Sequence, residues 1–291
     1  MIRIIFFISL YLLSYFSTAQ DLKNYQFYNK NQKAIDFHQT AKILSKYDII
    51  LFGEHHNDAV THWLQLKLAE ELYKTSNKKL KLGFEMFERD NQHAIDWFLT
   101  NKINEKVFAD SVRFWSNYKT DYQPLLLFAK EKSLGVVASN VPRKYASIVA
   151  KNGLASLDSL PENEKKWIVR LPLFVDEKTP GYPEMIEMMK DHSATNAKNF
   201  VYAQALKDAT MAESILLNHK KNELFLHFNG DYHSKNYGGI YYYLKRANPK
   251  LKIAVISIIV NKNLRPILES NEKYIPTEIL LVLPTDSPKT H

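Results

Sequence analysis

Residues 49–56, Ile49-Ile50-Leu51-Phe52-Gly53-Glu54-His55-His56, decide the fold class. Four apolar residues in an unbroken run suit a strand covered on both faces, as in a parallel sheet, better than the alternating pattern of a half-exposed one. The run ends in Gly-x-x-His. The same design recurs where Leu224-Phe225-Leu226-His227-Phe228 passes through Asn229 into Gly230-Asp231-Tyr232-His233. The glycine is expected to let the chain turn sharply off the sheet. In open parallel sheets, ligands bind at the carboxyl rim of the strands. Two such loops on neighbouring strands bring His56 and His233 together, with Glu54 and Asp231 close by.

Working outward, apolar runs at 48–52, 80–85, 134–138, 224–228, 251–258 and 279–283 read as strands. Between them lie helical patterns. Val60, Trp63, Leu64, Leu68 and Leu72 form one stripe over 59–74, and 122–132 and 237–246 are similar. Strands alternating with helices predict an α/β fold: an open, mostly parallel, doubly wound sheet flanked by helices. The stretch from 89 to 217 is too long for one crossover. Punctuated by Pro161, Pro172, Pro180 and Pro183, it is read as carrying a smaller helical insertion at 143–196. The α/β core then comprises 20–142 and 197–291, and a long helix over 194–218 leads back to the sheet.

A third strand end joins the rim. Lys81-Leu82-Gly83-Phe84-Glu85-Met86-Phe87 places Glu85 at the end of an apolar run, where a carboxylate needs a partner. Glu54, His56, Glu85 and His233 form a candidate catalytic set, with histidine as base and carboxylate as orienter. His56, Glu85 and His233 equally suit a divalent metal. The bland alternative is a set of hydrogen-bonded loop residues fixing the turns. His62 and Gln65 share one helical face near the rim, and Asn57 or Asp58 caps that helix. Asn140 and Arg143 follow the third strand, with Arg143 suited to a carboxylate. Gln204, Asp208 and Met211 fall on one helical face, where ordinary packing pairs Asp208 with a lysine or arginine.

The chain has 291 residues and no cysteine, which excludes disulfides, thiolate metal sites and lipidation through cysteine. Residues 1–19 read as a cleaved signal peptide: Arg3 in a short basic start, an apolar run to Phe16, then Ser17-Thr18-Ala19. A periplasmic or secreted protein that is not a lipoprotein is expected. No later segment is apolar enough to span a membrane. The net charge of +8 is spread over scattered lysines. That argues against nucleic acid and suits a small anionic ligand, such as one bearing propionates or phosphates.

Taken together, these motifs resemble the ChaN-like haem-binding uptake family, related to the Tiki proteins and the erythromycin-esterase-like hydrolases. The residues are Gly53-Glu54-His55-His56, then Thr61-His62-Trp63-Leu64-Gln65, and Gly83-Phe84-Glu85-Met86-Phe87 with Arg89 soon after. Asn140-Val141-Pro142-Arg143, Ala203-Gln204 through Asp208, Met211 and Ala212, and Gly230-Asp231-Tyr232-His233 complete the series. The resemblance implies haem binding in the service of iron uptake, with a homodimer and an outer-membrane uptake partner. It also implies cofactor-binding roles for His62, Gln65, Arg89, Asn140 and Arg143. Two departures stand out: the missing lipoprotein cysteine, and Thr61 where the family has the first histidine of a pair.

Haem iron takes His, Met or Tyr. Tyr182, Met185, Met188, Met189 and His192 lie in one short stretch, the last four at i, i+3, i+4, i+7. They are either a core stripe, since methionine is a common gap-filler, or the haem face, with Tyr182, Met188 and His192 as its first candidates. Haem binding is therefore the leading expectation. A metal-dependent or metal-free hydrolase built on the two Gly-x-x-His motifs and Glu85 is the alternative.

Overall fold

The computed structural model describes residues 23–189, 194–268 and 274–291. The expected signal peptide and His192 lie outside them. In chain order the elements are β1 (Gln26–Asn29), β2 (Ala34–Ile35), α1 (Phe37–Leu44), β3 (Ile49–Glu54), α2 (Ala59–Thr75), β4 (Lys79–Glu88), α3 (Gln92–Leu99), α4 (Glu105–Ser111), α5 (Gln123–Glu131) and β5 (Gly135–Asn140). There follow α6 (Arg143–Asn152), α7 (Glu162–Lys165), α8 (Tyr182–Met188), α9 (Ala194–Asn218), β6 (Glu223–Gly230), α10 (Gly239–Ala247), β7 (Ile253–Val260) and β8 (Ile279–Leu283).

One eight-stranded sheet runs in the order β2-β1-β8-β7-β3-β6-β4-β5. The six strands from β8 to β5 are parallel, as their apolar runs predict. β1 and β2 add an antiparallel hairpin at one edge that the apolar patterning misses. These two strands have four and two residues, too few to carry a periodic signal.

The continuous run of β3 is explained by its two faces. Ile50 and Phe52 enter the core under α2 and α5, whereas Ile49 and Leu51 enter the core under α9 and α10. Both sides exclude water, so neither alternate position can be polar. A third apolar cluster joins Tyr145 and Val149 of α6, together with Leu157 and Ile168, to Ala203 and Leu206 of α9. The residues after β5 thus pack as a helical layer on α9. That helix has 25 residues, roughly 37 Å at 1.5 Å per residue. No helix among the described residues is long and apolar enough to cross a membrane.

Candidate functional site

β3 and β6 are direct neighbours, with Gly53 opposite Asn229 and Glu54 opposite Gly230. Both Gly-x-x-His loops therefore leave the sheet side by side. The glycines do not serve the sharp turn expected of them. Gly230 has φ −53°, open to any residue. Each glycine makes room for the other loop instead. A Cβ on Gly230 would sit 2.8 Å from His56 Cε1 and 2.9 Å from Nε2. A Cβ on Gly53 would sit 2.5 Å from Asp231 Oδ1 and 2.9 Å from the Ile256 carbonyl. Contacts that short do not fit a close-packed interior.

Glu85 arrives from β4, the neighbour of β6 on its other side. Its Oε2 accepts the Gly230 N–H at 2.7 Å, and its Oε1 lies 3.1 Å from His233 Nε2. His233 Nδ1 meets Asp208 Oδ1 at 2.5 Å. Asp208 Oδ2 in turn accepts the Tyr182 hydroxyl at 2.7 Å. The imidazole is thus gripped between two buried carboxylates. Burial opposes its charge, but the fields of Glu85 and Asp208 outweigh it and push His233 up to about 10. Burial also opposes the charge on Glu85, yet His233 and His56 hold its carboxyl well below the usual range. Burial pushes Asp208 up.

His56 is the open member of the site, its side chain 45% exposed. Its Nδ1 lies 3.0 Å from Glu54 Oε1, and its ring meets Trp115 edge to face at 4.7 Å. Burial disfavours the imidazolium, but the Glu54 hydrogen bond and the nearby Glu85 raise its pKa. Glu54 is itself fully enclosed. Gln65 donates to its Oε2 at 2.6 Å and the Tyr122 hydroxyl to its Oε1. Burial raises the Glu54 pKa, but His62 and His56 lower it on balance.

His62 and Gln65 hold the site from beneath and do not line the cavity. Gln65 Oε1 takes His62 Nδ1 at 3.0 Å, and His62 Nε2 lies 3.1 Å from the His56 carbonyl. Of the two capping candidates for α2, Asp58 does the work, accepting Thr61 N–H and hydroxyl at 2.8 Å. His227, inside the second motif, is a core histidine. It is pushed down to about 4 by burial and held by Ser139 and Asn229.

Above the rim lies a cavity of about 520 Å³, within the roughly 300–1,000 Å³ of small-molecule and cofactor sites. Its floor is Glu54, His55, His56, Glu85 and residues 230–233. Its opposite wall is Met185, Met188 and Met189 from α8 and the residue after it, with Phe200, Gln204 and Lys207 from α9. Met188 is 72% exposed, so the methionine face is no simple core stripe. Two roomier clefts, of about 830 and 890 Å³, lie elsewhere and contain neither motif histidine.

Several sequence expectations need correction. Tyr182 is buried, with its hydroxyl spent on Asp208, so it supports His233 and does not face the cavity. Arg89 is tied to α9 through Glu213, Ser214 and the Thr210 carbonyl, and to the Ile168 carbonyl. It braces the end of β4 away from the cavity. Asn140 turns its Oδ1 onto the Val141 N–H, and Arg143 is an exposed first residue of α6. Asp208 pairs with a histidine and a tyrosine, not with a lysine or arginine. The divalent-metal expectation for His56, Glu85 and His233 is unsupported: among the described residues no group of His, Asp or Glu is arranged to hold a metal ion. Both His233 ring nitrogens already face carboxylates, which leaves no lone pair to ligate.

Sequence reasoning also passes over Trp115, Asn117, Asp121 and Tyr122. Asp121 and Tyr122 reach the site from a π-helical turn, Tyr118–Tyr122, that runs into α5, and Trp115 and Asn117 from the residues just before it. Such turns often sit at functional sites, but no short motif announces them.

The profile of a family described as haem-binding uptake, Tiki superfamily, ChaN matches residues 40–244. A solved structure described as cofacial haem binding to ChaN of Campylobacter jejuni superimposes with a TM-score of 0.67. It covers 90% of this chain and 98% of that one at 18% identity, which shows a common fold. A 107-residue stretch, 35% of this chain, is 25% identical to protein RETICULATA-RELATED 5, chloroplastic, of Arabidopsis thaliana. The match spans only 14% of that relative's length. The family match takes in both Gly-x-x-His loops, Glu85 and Asp208, and the chain belongs to the ChaN-like haem-binding uptake family of the Tiki superfamily.

Proposed function

We propose that the protein binds haem in the cavity over the two histidine loops, with His56 as an iron ligand. One observation carries this reading: a carboxylate-oriented imidazole shares a cavity with three thioethers and the Phe200 ring. A metal-ligating histidine commonly gives its other ring nitrogen to a carboxylate, which fixes the ring and raises its basicity. Glu54 does this for His56 Nδ1, so Nε2 is the ring nitrogen that would take the iron. Met185, Met188, Met189 and Phe200 suit the apolar porphyrin face. Lys207 suits a propionate. Tyr232, 45% exposed beside His233, is the second ligand candidate. When bound, the iron supplies ligand exchange and electron-transfer chemistry. The chain's own residues orient His56, hold the charge of His233 and shield the apolar face.

The proposal extends to export, supported by the signal-peptide pattern of residues 1–19, and to a role in haem acquisition, supported by the family. The exposed Met188, Phe200 and Tyr232 around the cavity mouth give a second copy an apolar surface to close upon. A hydrolase has less in its favour, because His233 has no ring nitrogen open to take a proton from a substrate or water. Titration of the purified protein with haemin tests the reading. A saturable Soret shift that weakens at least tenfold in His56→Ala is expected, and an unshifted spectrum overturns it.

A further inference from the structure

We infer that the segment at 288–290 is a clamp that positions His56 from the far end of the chain, with Thr290 as its principal positioning residue. The Ala59 N–H donates to the Pro288 carbonyl at 3.0 Å, and the Thr290 N–H donates to the Asn57 carbonyl at 2.9 Å. These bonds bracket an antiparallel bridge between Asp58 and Lys289. The Lys289 ammonium adds a 3.2 Å contact to Asp58 Oδ2. The loop carrying His56 is therefore paired, edge to edge, with a strand-like segment more than 200 residues away.

The coupling to His56 runs through one carboxylate. The Thr290 hydroxyl donates to Asp121 Oδ2 at 2.8 Å. The same oxygen accepts Asn117 Nδ2 at 2.5 Å and lies 3.5 Å from His62 Nε2. Asn117 Nδ2 and His62 Nε2 are also the two groups that hold the His56 carbonyl, at 2.6 and 3.1 Å. Asp121 thus aligns both donors, and Thr290 aligns Asp121. Without that hydroxyl, a buried carboxylate loses a hydrogen bond that water cannot readily replace. The loop then opens more often, because its remaining ties, the 288–290 bridge included, are few. The hydrogen-bond partners of Thr290, Asp121, Asn57 and His291, do not line the cavity, so its effect on His56 is one of placement.

Amide hydrogen exchange on the full chain without haem tests this, using Thr290→Val and the conservative Thr290→Ser. Asp58 and Ala59 are expected to exchange about tenfold faster in Thr290→Val. They should return to the parental rate in Thr290→Ser, with β6 amides unchanged throughout. Unaltered exchange at 58–59 in Thr290→Val overturns the inference, as does equal acceleration in Thr290→Ser. If Thr290→Val speeds exchange everywhere, Lys289→Met, which breaks the clamp's surface anchor, replaces it under the same criteria. The readout needs no ligand. A parental chain that fails to bind haem sinks the proposed function and leaves this result to stand or fall separately.

Discussion

His56 rests directly on Gly230: a single added carbon there would lie 2.8 Å from the ring. The glycine of one loop is the seat for the histidine of the other. This reciprocity, with Gly53 seating Asp231 in turn, ties two segments about 180 residues apart into one site.

Gly230→Ala is therefore expected to displace the His56 ring. The strain should cost about 1–3 kcal/mol of stability, the usual range for overpacking, and weaken haemin binding together with it. Gly53→Ala should cost at least as much, because its obstacles include a backbone carbonyl, which cannot swing aside. Urea denaturation of both variants checks the order.

His233 gives a pH dependence with a definite sign. Its pKa is raised from 6.5 to about 10 in the folded protein. The stabilisation it provides is fully present below the unfolded value and is lost as pH rises through about 10. Glu85 works the other way. Its lowered pKa contributes stability above the ordinary carboxylate value of about 4.5, lost on acidification. Stability should therefore decline from about pH 6.5 towards 10, and the decline should be much smaller in His233→Gln, where the raised His56 alone still contributes. A decline of the same size in that variant would assign the effect elsewhere.

His233→Ala should be among the most damaging single changes in the chain. It leaves Glu85 and Asp208 buried near each other, with Asp208 stripped of its charge partner and Glu85 left with His56 alone. Removing one partner of a buried ionic group costs roughly 3–5 kcal/mol. Adding Asp208→Asn should recover part of that loss, since it neutralises one of the stranded carboxylates. Chemical denaturation of the single and double variants reads out the coupling.

What the sequence discloses of this site follows from how local each signal is. The six parallel strands are legible because residues such as Ile49 to Phe52 must be apolar on both faces. The neighbouring of β3 and β6 is legible because the two loops repeat one pattern. Gln204 and Asp208 are legible as one helical face, but not as the partners of His233, since nothing local says which element α9 will cross. Arg89 misleads for a related reason: the resemblance implies a cofactor ligand there, and nothing local shows that Glu213 lies opposite it. Tyr122 and Asp121 stay hidden because a π-helical turn sets their direction. The β1–β2 hairpin is hidden by its brevity.

Met188 offers the cleanest separation of fold from function. At 72% exposure it adds little to the core, so Met188→Glu should shift stability by no more than about 0.5 kcal/mol. It stands on the apolar wall opposite His56, however, where a carboxylate would meet the porphyrin face and repel propionates. Haemin should dissociate from this variant about tenfold faster, with the spectrum of the bound form unchanged because the iron ligand is untouched. A changed spectrum with equal affinity would instead make the Met188 thioether itself a ligand. Stopped-flow transfer of haemin to excess apomyoglobin measures the rate, and the absorption spectrum before mixing decides the ligation.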